Sequence, residues 1–159
     1  MIISVIGRLI QAKGVQDVIK ATRDTEDTVL IIGDGVYRKE LEKITHKGII
    51  FMGTLDKEEV KEILKKTDVL IMPSYNEGLP TTILEAGAMG VEVISSDVGS
   101  VDELINDNIT GLLYDAGNIQ QLKMRIEEVR NIKTKGLKET IHKHFTWEQA
   151  CDKFERILR

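Results

Sequence analysis

The chain has 159 residues with 22 basic and 26 acidic side chains, a net charge of −4, which reads as one domain by size and offers no basic block for a nucleic-acid footprint. Its single cysteine, Cys151, excludes an internal disulfide and a cysteine-based zinc site and fits a reducing compartment, so the cytoplasm is the expected location. No apolar run approaches the roughly 18 residues needed to span a bilayer, and Met1 to Ile6 reads as a core strand, without a basic leader or cleavage pattern.

Apolar runs bounded by turn residues then alternate with helical periodicity. The strand Ile2 to Ile6 leads into a helix near Val15 to Thr22, followed by the strand Thr28 to Ile32. A helix near Val36 to Thr45 precedes the strand Ile49 to Met52, and a helix near Lys57 to Lys66 precedes the strand Val69 to Met72. A helix opening at Pro80 comes next, with proline at its first position, where the missing N–H would be unpaired anyway. The strand Val91 to Ser95, a short helix near Val101 to Asn106 and the strand Leu112 to Tyr114 follow. Helices near Ile119 to Asn131 and Trp147 to Leu158 close the chain, with Lys133 to Lys143 read as a linker. Six apolar strands alternating with helices predict an α/β fold, a Rossmann-like doubly wound parallel sheet with helices on both faces. Ligands bind such sheets beyond the carboxyl ends of the strands. That rim holds Gly7-Arg8, Gly33-Asp34-Gly35, Gly53-Thr54, Asn76-Glu77-Gly78 and Asp97-Val98-Gly99-Ser100.

The run Pro73-Ser74-Tyr75-Asn76-Glu77-Gly78-Leu79-Pro80-Thr81-Thr82-Ile83-Leu84-Glu85-Ala86-Gly87-Ala88-Met89-Gly90 carries the most chemistry. Backbone N–H groups of residues 81 to 83 are expected to face the loop and form an anion site. Glu77 in the loop and Glu85 in the helix would border one crevice and hold two spaced polyols, such as a hexose and a ribose. Alone, each glutamate also reads as a solvated charge. The small residues after Glu85 instead fit close packing on the sheet, so a partner for that carboxylate is expected. Arg8 and Lys13, the latter beside Gly14 at a helix start, could converge on a diphosphate through charge-assisted hydrogen bonds. Taken alone they are equally two surface cations.

Other chemistries lack their signatures. Gly33-Asp34-Gly35-Val36-Tyr37-Arg38 offers two glycines of a dinucleotide fingerprint and an arginine at the third, which disfavours a redox cofactor. There is no phosphate loop with lysine before serine or threonine, no Asp-x-Asp pair for a divalent cation, and no Gly-x-Ser-x-Gly turn. No metal and no cofactor are therefore expected. His46, His142 and His144 sit in or beside lysine-containing segments away from the rim and read as solvated.

These residues together resemble the family 4 (group 1) retaining glycosyltransferases of the GT-B fold, in which two Rossmann-like halves face across a cleft. The resemblance runs through Val5-Ile6-Gly7-Arg8-Leu9 with Lys13-Gly14, Leu30-Ile31-Ile32-Gly33-Asp34-Gly35, Ile50-Phe51-Met52-Gly53, the Glu77/Glu85 run, Asp97 to Leu104, Thr110-Gly111-Leu112-Leu113 and Phe145-Thr146-Trp147. It implies that Arg8 and Lys13 meet the donor diphosphate, Glu77 the donor sugar, and Glu85 the ribose hydroxyls. Gly7, Gly78, Leu79, Thr81 and Thr82 would touch sugar and phosphate, while Gly53, Thr54 and Leu55 form the base-recognition loop. The family transfers a hexose with retention by front-side attack, the leaving diphosphate assisting as base, without a required metal; the donor would be UDP- or GDP-linked. Glu92, Ser100 and Asp102 depart from the family's usual proline, glycine and proline, which leaves the Asp97 to Glu103 loop more flexible or suited to a different sugar.

Family chains are twice as long, and this one starts where their second half starts. The expectation is therefore a single donor-binding domain over residues 1–159, inactive alone, with the acceptor lobe supplied in cis or in trans. The terminal aromatics Phe145 and Trp147 would serve that lobe or the local core. Membrane association in the family belongs to the N-terminal half, which would bring the cytoplasmic chain to the inner membrane surface. Two other readings share the pattern. One is a nucleotide-sugar epimerase or a phosphorylase on the same fold; the other is a non-catalytic nucleotide-binding module, which would have no need of a sugar-facing Glu77.

Overall fold

The structure, a computed structural model, describes residues 1–131, 134 and 136–145. Six parallel strands form one sheet: β1 (Ile2–Ile6), β2 (Thr28–Ile32), β3 (Ile49–Gly53), β4 (Val69–Met72), β5 (Glu92–Ser96) and β6 (Leu112–Tyr114). Their spatial order is β3-β2-β1-β4-β5-β6. The helices are α1 (Val15–Ala21), α2 (Arg38–Lys43), α3 (Lys57–Leu64), α4 (Thr81–Ala88), α5 (Ile119–Asn131) and α6 (Leu137–His144). The expected doubly wound sheet is thus present, and its strand order reverses between β1 and β4.

Strand side chains alternate between the two faces, and each face has its own core. Ile3, Val5, Val29, Ile31, Val69, Ile71 and Ile94 pack with Val18 and Ile19 of α1 and Leu122 and Ile126 of α5. Leu70, Met72 and Val93 point the other way, onto Leu64 of α3, Ile83 and Ala86 of α4, and Leu137 and Ile141 of α6. Both faces of the central strands are covered, which is why their sequences are continuously apolar.

Several elements differ from the sequence reading. Residues 101–106 make no helix: Leu104 and Ile105 N–H both return to the Val101 carbonyl, and the segment stops after that turn. Gly99 at φ +60 before it and Asn108 at φ +62 after it commit the flanks to turns. The linker expected at 133–143 is instead taken up from residue 137 by α6, which ends at 144. Its apolar residues Leu137 and Ile141 are four apart and buried on one side, a stripe diluted in the sequence by lysine and histidine. The second helix is shorter than expected because Arg38 N–H closes a turn on Gly35. A short 3-10 turn, Gln11–Lys13, was not foreseen. His46 is half-buried, not solvated: Nε2 meets the Thr22 hydroxyl at 3.2 Å and Nδ1 accepts the Gly48 N–H at 3.3 Å. Burial pushes its pKa below the ordinary histidine value, with Arg23 adding to the effect. His142 is exposed as expected. The helix expected at 147–158 lies outside the described residues.

Candidate functional site

The reversal of strand order opens a crevice at the carboxyl ends of β1 and β4. After β1 the chain runs through Arg8 into the 3-10 turn and reaches Gly14 at φ +65. A Cβ on Gly14 would lie 1.8 Å from the Pro73 carbonyl oxygen. Glycine is what lets this turn rest directly on the exit of β4. Tyr75 N–H then donates to the Ala12 carbonyl at 2.8 Å, fixing the two loops side by side.

That contact brings Lys13 to Glu77. The Lys13 ammonium donates to Glu77 Oε1 at 2.5 Å, and the Ser74 hydroxyl donates to the same oxygen at 2.6 Å. The carboxylate side chain is only 14% exposed. Beneath it, the Ser96 hydroxyl at the end of β5 donates to the Ser74 carbonyl at 2.5 Å. Tyr75 of the same loop is exposed but its hydroxyl reaches α1, donating to Asp17 Oδ2 at 2.6 Å and accepting from Gln16 Nε2 at 3.2 Å. Burial, with help from the Asp17 bond, pushes the Tyr75 phenol above its ordinary pKa. Gly99 presses against the other side: a Cβ there would lie 1.9 Å from the Glu77 carbonyl oxygen.

Arg8 is exposed, and among the described residues its guanidinium has no hydrogen-bond or carboxylate partner. It borders a groove of about 250 Å³ with Gly7, Gly33, Asp34, Thr54 and Leu55. This groove adjoins a cavity of about 380 Å³ lined by Leu55, Val60, Leu64, Glu85 and Met89, and the two share Ile6, Leu55 and Val60. Gly53, at φ +73, ends β3, and Asp56 opens α3 with a reciprocal capping box to Glu59. Thr54 and Leu55 are held between these fixed points.

Pro80 is the residue before α4 rather than its first helical position, with ψ 104. Its carbonyl accepts the Ile83 N–H at 3.2 Å, so that donor is engaged. The N–H groups of Gly78, Leu79, Thr81 and Thr82 have no acceptor among the described residues. Glu85 is exposed and unpartnered among them, contrary to the expected buried carboxylate. The helix buries Ile83, Ala86 and Gly87 against the sheet and α6, and Glu85 falls on the side facing the cavity. Glu92, one of the three departures from the family pattern, is at the other end of β5, where its carboxylate binds the Thr134 N–H and hydroxyl. That departure belongs to the packing of the chain after α5, away from the rim.

The structure places Arg8, Thr54 and Leu55 on one groove, Glu85 on the cavity that adjoins it, and Lys13 against Glu77 where the loops after β1 and β4 meet. Sequence reasoning did not single out Ser74, Tyr75, Asp17 or Ser96. Ser74 lies inside the quoted run, three residues before Glu77, and that spacing was its only available signal. Asp17 and Ser96 come from distant segments and left none.

The sequence family "Glycosyl transferases group 1" matches residues 1–143. The putative teichuronic acid biosynthesis glycosyltransferase TuaC of Bacillus subtilis is 37% identical over 101 residues, covering 62% of this chain and 25% of TuaC. Sulfoquinovosyl transferase SQD2 of Arabidopsis thaliana is 29% identical over 160 residues, 93% of this chain and 31% of SQD2. The matches to curated relatives such as these span between 25% and 44% of their lengths. Among solved structures, HepE of Anabaena with UDP and glucose superimposes with a TM-score of 0.91 at 20% identity, over 99% of this chain and 47% of HepE. The C-terminal domain of a group 1 glycosyl transferase, LpcC from Francisella tularensis, superimposes with a TM-score of 0.82 at 25% identity, over 92% of this chain and 86% of that domain. With its Rossmann-like sheet, its crevice and these matches, the chain belongs to the group 1 glycosyltransferases, which share the GT-B fold.

Proposed function

We propose that this chain is the C-terminal, donor-binding domain of a family 4 retaining glycosyltransferase, and that it holds a UDP- or GDP-linked hexose for transfer to an acceptor on a second lobe, in cis or in trans. The observation that carries this reading is the division of charge around one crevice. An unpaired Arg8 lines the groove and the Glu85 carboxylate borders an adjoining apolar-lined cavity, while the Lys13–Glu77 pair and the free N–H groups before α4 lie on the loops that leave β1 and β4. An anion, a sugar and a nucleoside need that sequence of partners. HepE, solved with UDP-glucose, has the same fold.

In this reading the base and ribose occupy the cavity between Leu55 and Glu85, the ribose hydroxyls donating to Glu85. The diphosphate lies over Arg8 and the N–H groups of the α4 start. As the bond from the anomeric carbon to the diphosphate breaks, negative charge grows on the leaving oxygens. The Arg8 guanidinium and the N–H groups before α4 stabilise that charge more than the ground state. Lys13 supplies further positive charge beside Glu77. The acceptor hydroxyl attacks from the face the diphosphate leaves, its proton passes to the departing diphosphate, and configuration is retained. No metal is required.

Chemistry of this kind needs donor and acceptor held together between lobes, so the isolated chain has no appreciable transferase activity. Isothermal titration with UDP- and GDP-sugars, with and without magnesium, tests the assignment. One donor binds equally well in both conditions, and Arg8→Ala weakens it by about tenfold to a hundredfold, the loss of one charge-assisted contact. Binding unaffected by Arg8→Ala, or dependent on magnesium, contradicts the reading.

A further inference from the structure

Glu77 has two carboxylate oxygens with different surroundings. Both the Lys13 ammonium and the Ser74 hydroxyl donate to Oε1, while Oε2 has no partner among the described residues. A carboxylate on a mobile loop normally rotates between equivalent settings, since its terminal torsion is broad. Here two donors arriving at one oxygen hold the carboxylate in one setting and leave Oε2 available. The serine can do this because its own backbone is fixed: its carbonyl accepts from the Ser96 hydroxyl at 2.5 Å, and Ser74 is itself 1% exposed. The next residue, Tyr75, is tied to Ala12 through its N–H and to buried Asp17 through its hydroxyl. The peptide on which Ser74 sits is thus pinned from β5, from the 3-10 turn and from α1.

We propose that Ser74 is a positioning residue for donor-sugar recognition: with Lys13 it holds Oε1 of Glu77, so that Oε2 is the atom that accepts from a sugar hydroxyl. The proposal rests on the donor-binding reading above and assigns the discriminating atom within it. Ser74 is too buried to touch the ligand, so it acts through Glu77. Loss of the hydroxyl leaves the charge of Glu77 in place but releases its orientation. The expected signature is selective: affinity for the sugar moiety falls while affinity for the nucleotide moiety stays.

The experiment compares free nucleoside diphosphate with its hexose conjugate, UDP against UDP-glucose and GDP against GDP-mannose, using the full chain and its Ser74→Ala, Ser74→Thr and Glu77→Ala variants. The readout is the ratio of the two dissociation constants. Ser74→Ala is expected to shift the ratio against the sugar conjugate by about tenfold, in the same direction as Glu77→Ala, because a lost charge-assisted hydrogen bond is of that size. Nucleotide affinity stays within about twofold, and Ser74→Thr, which keeps the hydroxyl, restores much of the ratio. If Ser74→Ala weakens both ligands equally, the serine is merely structural and the proposal falls. If it leaves the ratio unchanged while Glu77→Ala shifts it, the proposal falls and the donor reading stands. A wild-type chain that binds neither nucleotide nor conjugate overturns the donor reading and this proposal with it.

Discussion

Arg8 and Lys13 follow the same strand and carry the same charge, yet their surroundings separate their tasks. Arg8 is unengaged at the groove, whereas Lys13 is already committed to Glu77. Lys13→Met should therefore do more than remove a positive charge from the rim. It leaves a carboxylate that is 14% exposed with one donor instead of two, and loss of one member of a partly buried pair costs on the order of 2 kcal/mol. Urea unfolding should show that loss in Lys13→Met and almost none in Arg8→Ala, while titration shows weakened donor binding in both. The candidate residues were singled out by their place in the family resemblance, since taken alone the two glutamates and the two cations read as ordinary surface charges. The Lys13–Glu77 contact was not legible. It joins positions 64 residues apart and exists only because β4 lies next to β1.

At the scale of elements, glycine decides how closely the loops approach. Gly14 and Gly99 combine a left-handed backbone with a neighbouring carbonyl oxygen 1.8 Å and 1.9 Å from where a Cβ would stand. Gly14→Ala is expected to destabilise the fold by roughly 2–3 kcal/mol, since strain and displacement of the β4 exit act together. Gly99→Ala instead pushes on the Glu77 backbone from a surface loop, so donor-sugar affinity should fall further than thermal stability does. Differential scanning calorimetry beside titration separates the two variants. Most strands were readable from their apolar runs because both faces are buried. Helix α6 was misread because it has only two apolar residues, Leu137 and Ile141, both facing the core amid polar and charged neighbours. The turns after Gly99 were misread as helix because buried Val101, Leu104 and Ile105 mimic a helical stripe over a single turn.

At the scale of the whole molecule, one buried carboxylate ties the far side together. Asp27, at 2% exposure just before β2, accepts from the Met1 amine at 2.8 Å and from Arg130 of α5. Burial raises its pKa, but the bonds from the amine, Arg130 and Thr25 outweigh that and hold it below the ordinary carboxylate value. A carboxylate depressed in the folded state contributes stability above its unfolded pKa of about 3.9 and loses it as pH falls through the folded value. Arg130→Gln should lower stability by on the order of 2 kcal/mol at pH 7. The difference from wild type should shrink below pH 4 as Asp27 protonates, which urea midpoints across that range would show. The site is at the carboxyl ends of the strands and this pair at their amino ends, so donor affinity at pH 7 should be unchanged.

The adjacency of β1 and β4 has a dynamic consequence. Only two residue pairs, Ile3 with Val69 and Ser4 with Leu70, set the register between them. The ties Ser4 to Thr67, Ala12 to Tyr75, Asp17 to Tyr75 and Lys13 to Glu77 all cross the same line. The molecule is thus two halves sewn along a seam, with the ligand crevice at the seam's open end. A ligand touching Arg8 on one side and Glu77 on the other adds a stitch there. Amide hydrogen exchange in β1 and β4 should slow on ligand binding more than exchange in β3 or β6, even though the strands give the groove beside Arg8 only Ile6 of β1 and Ile32 of β2.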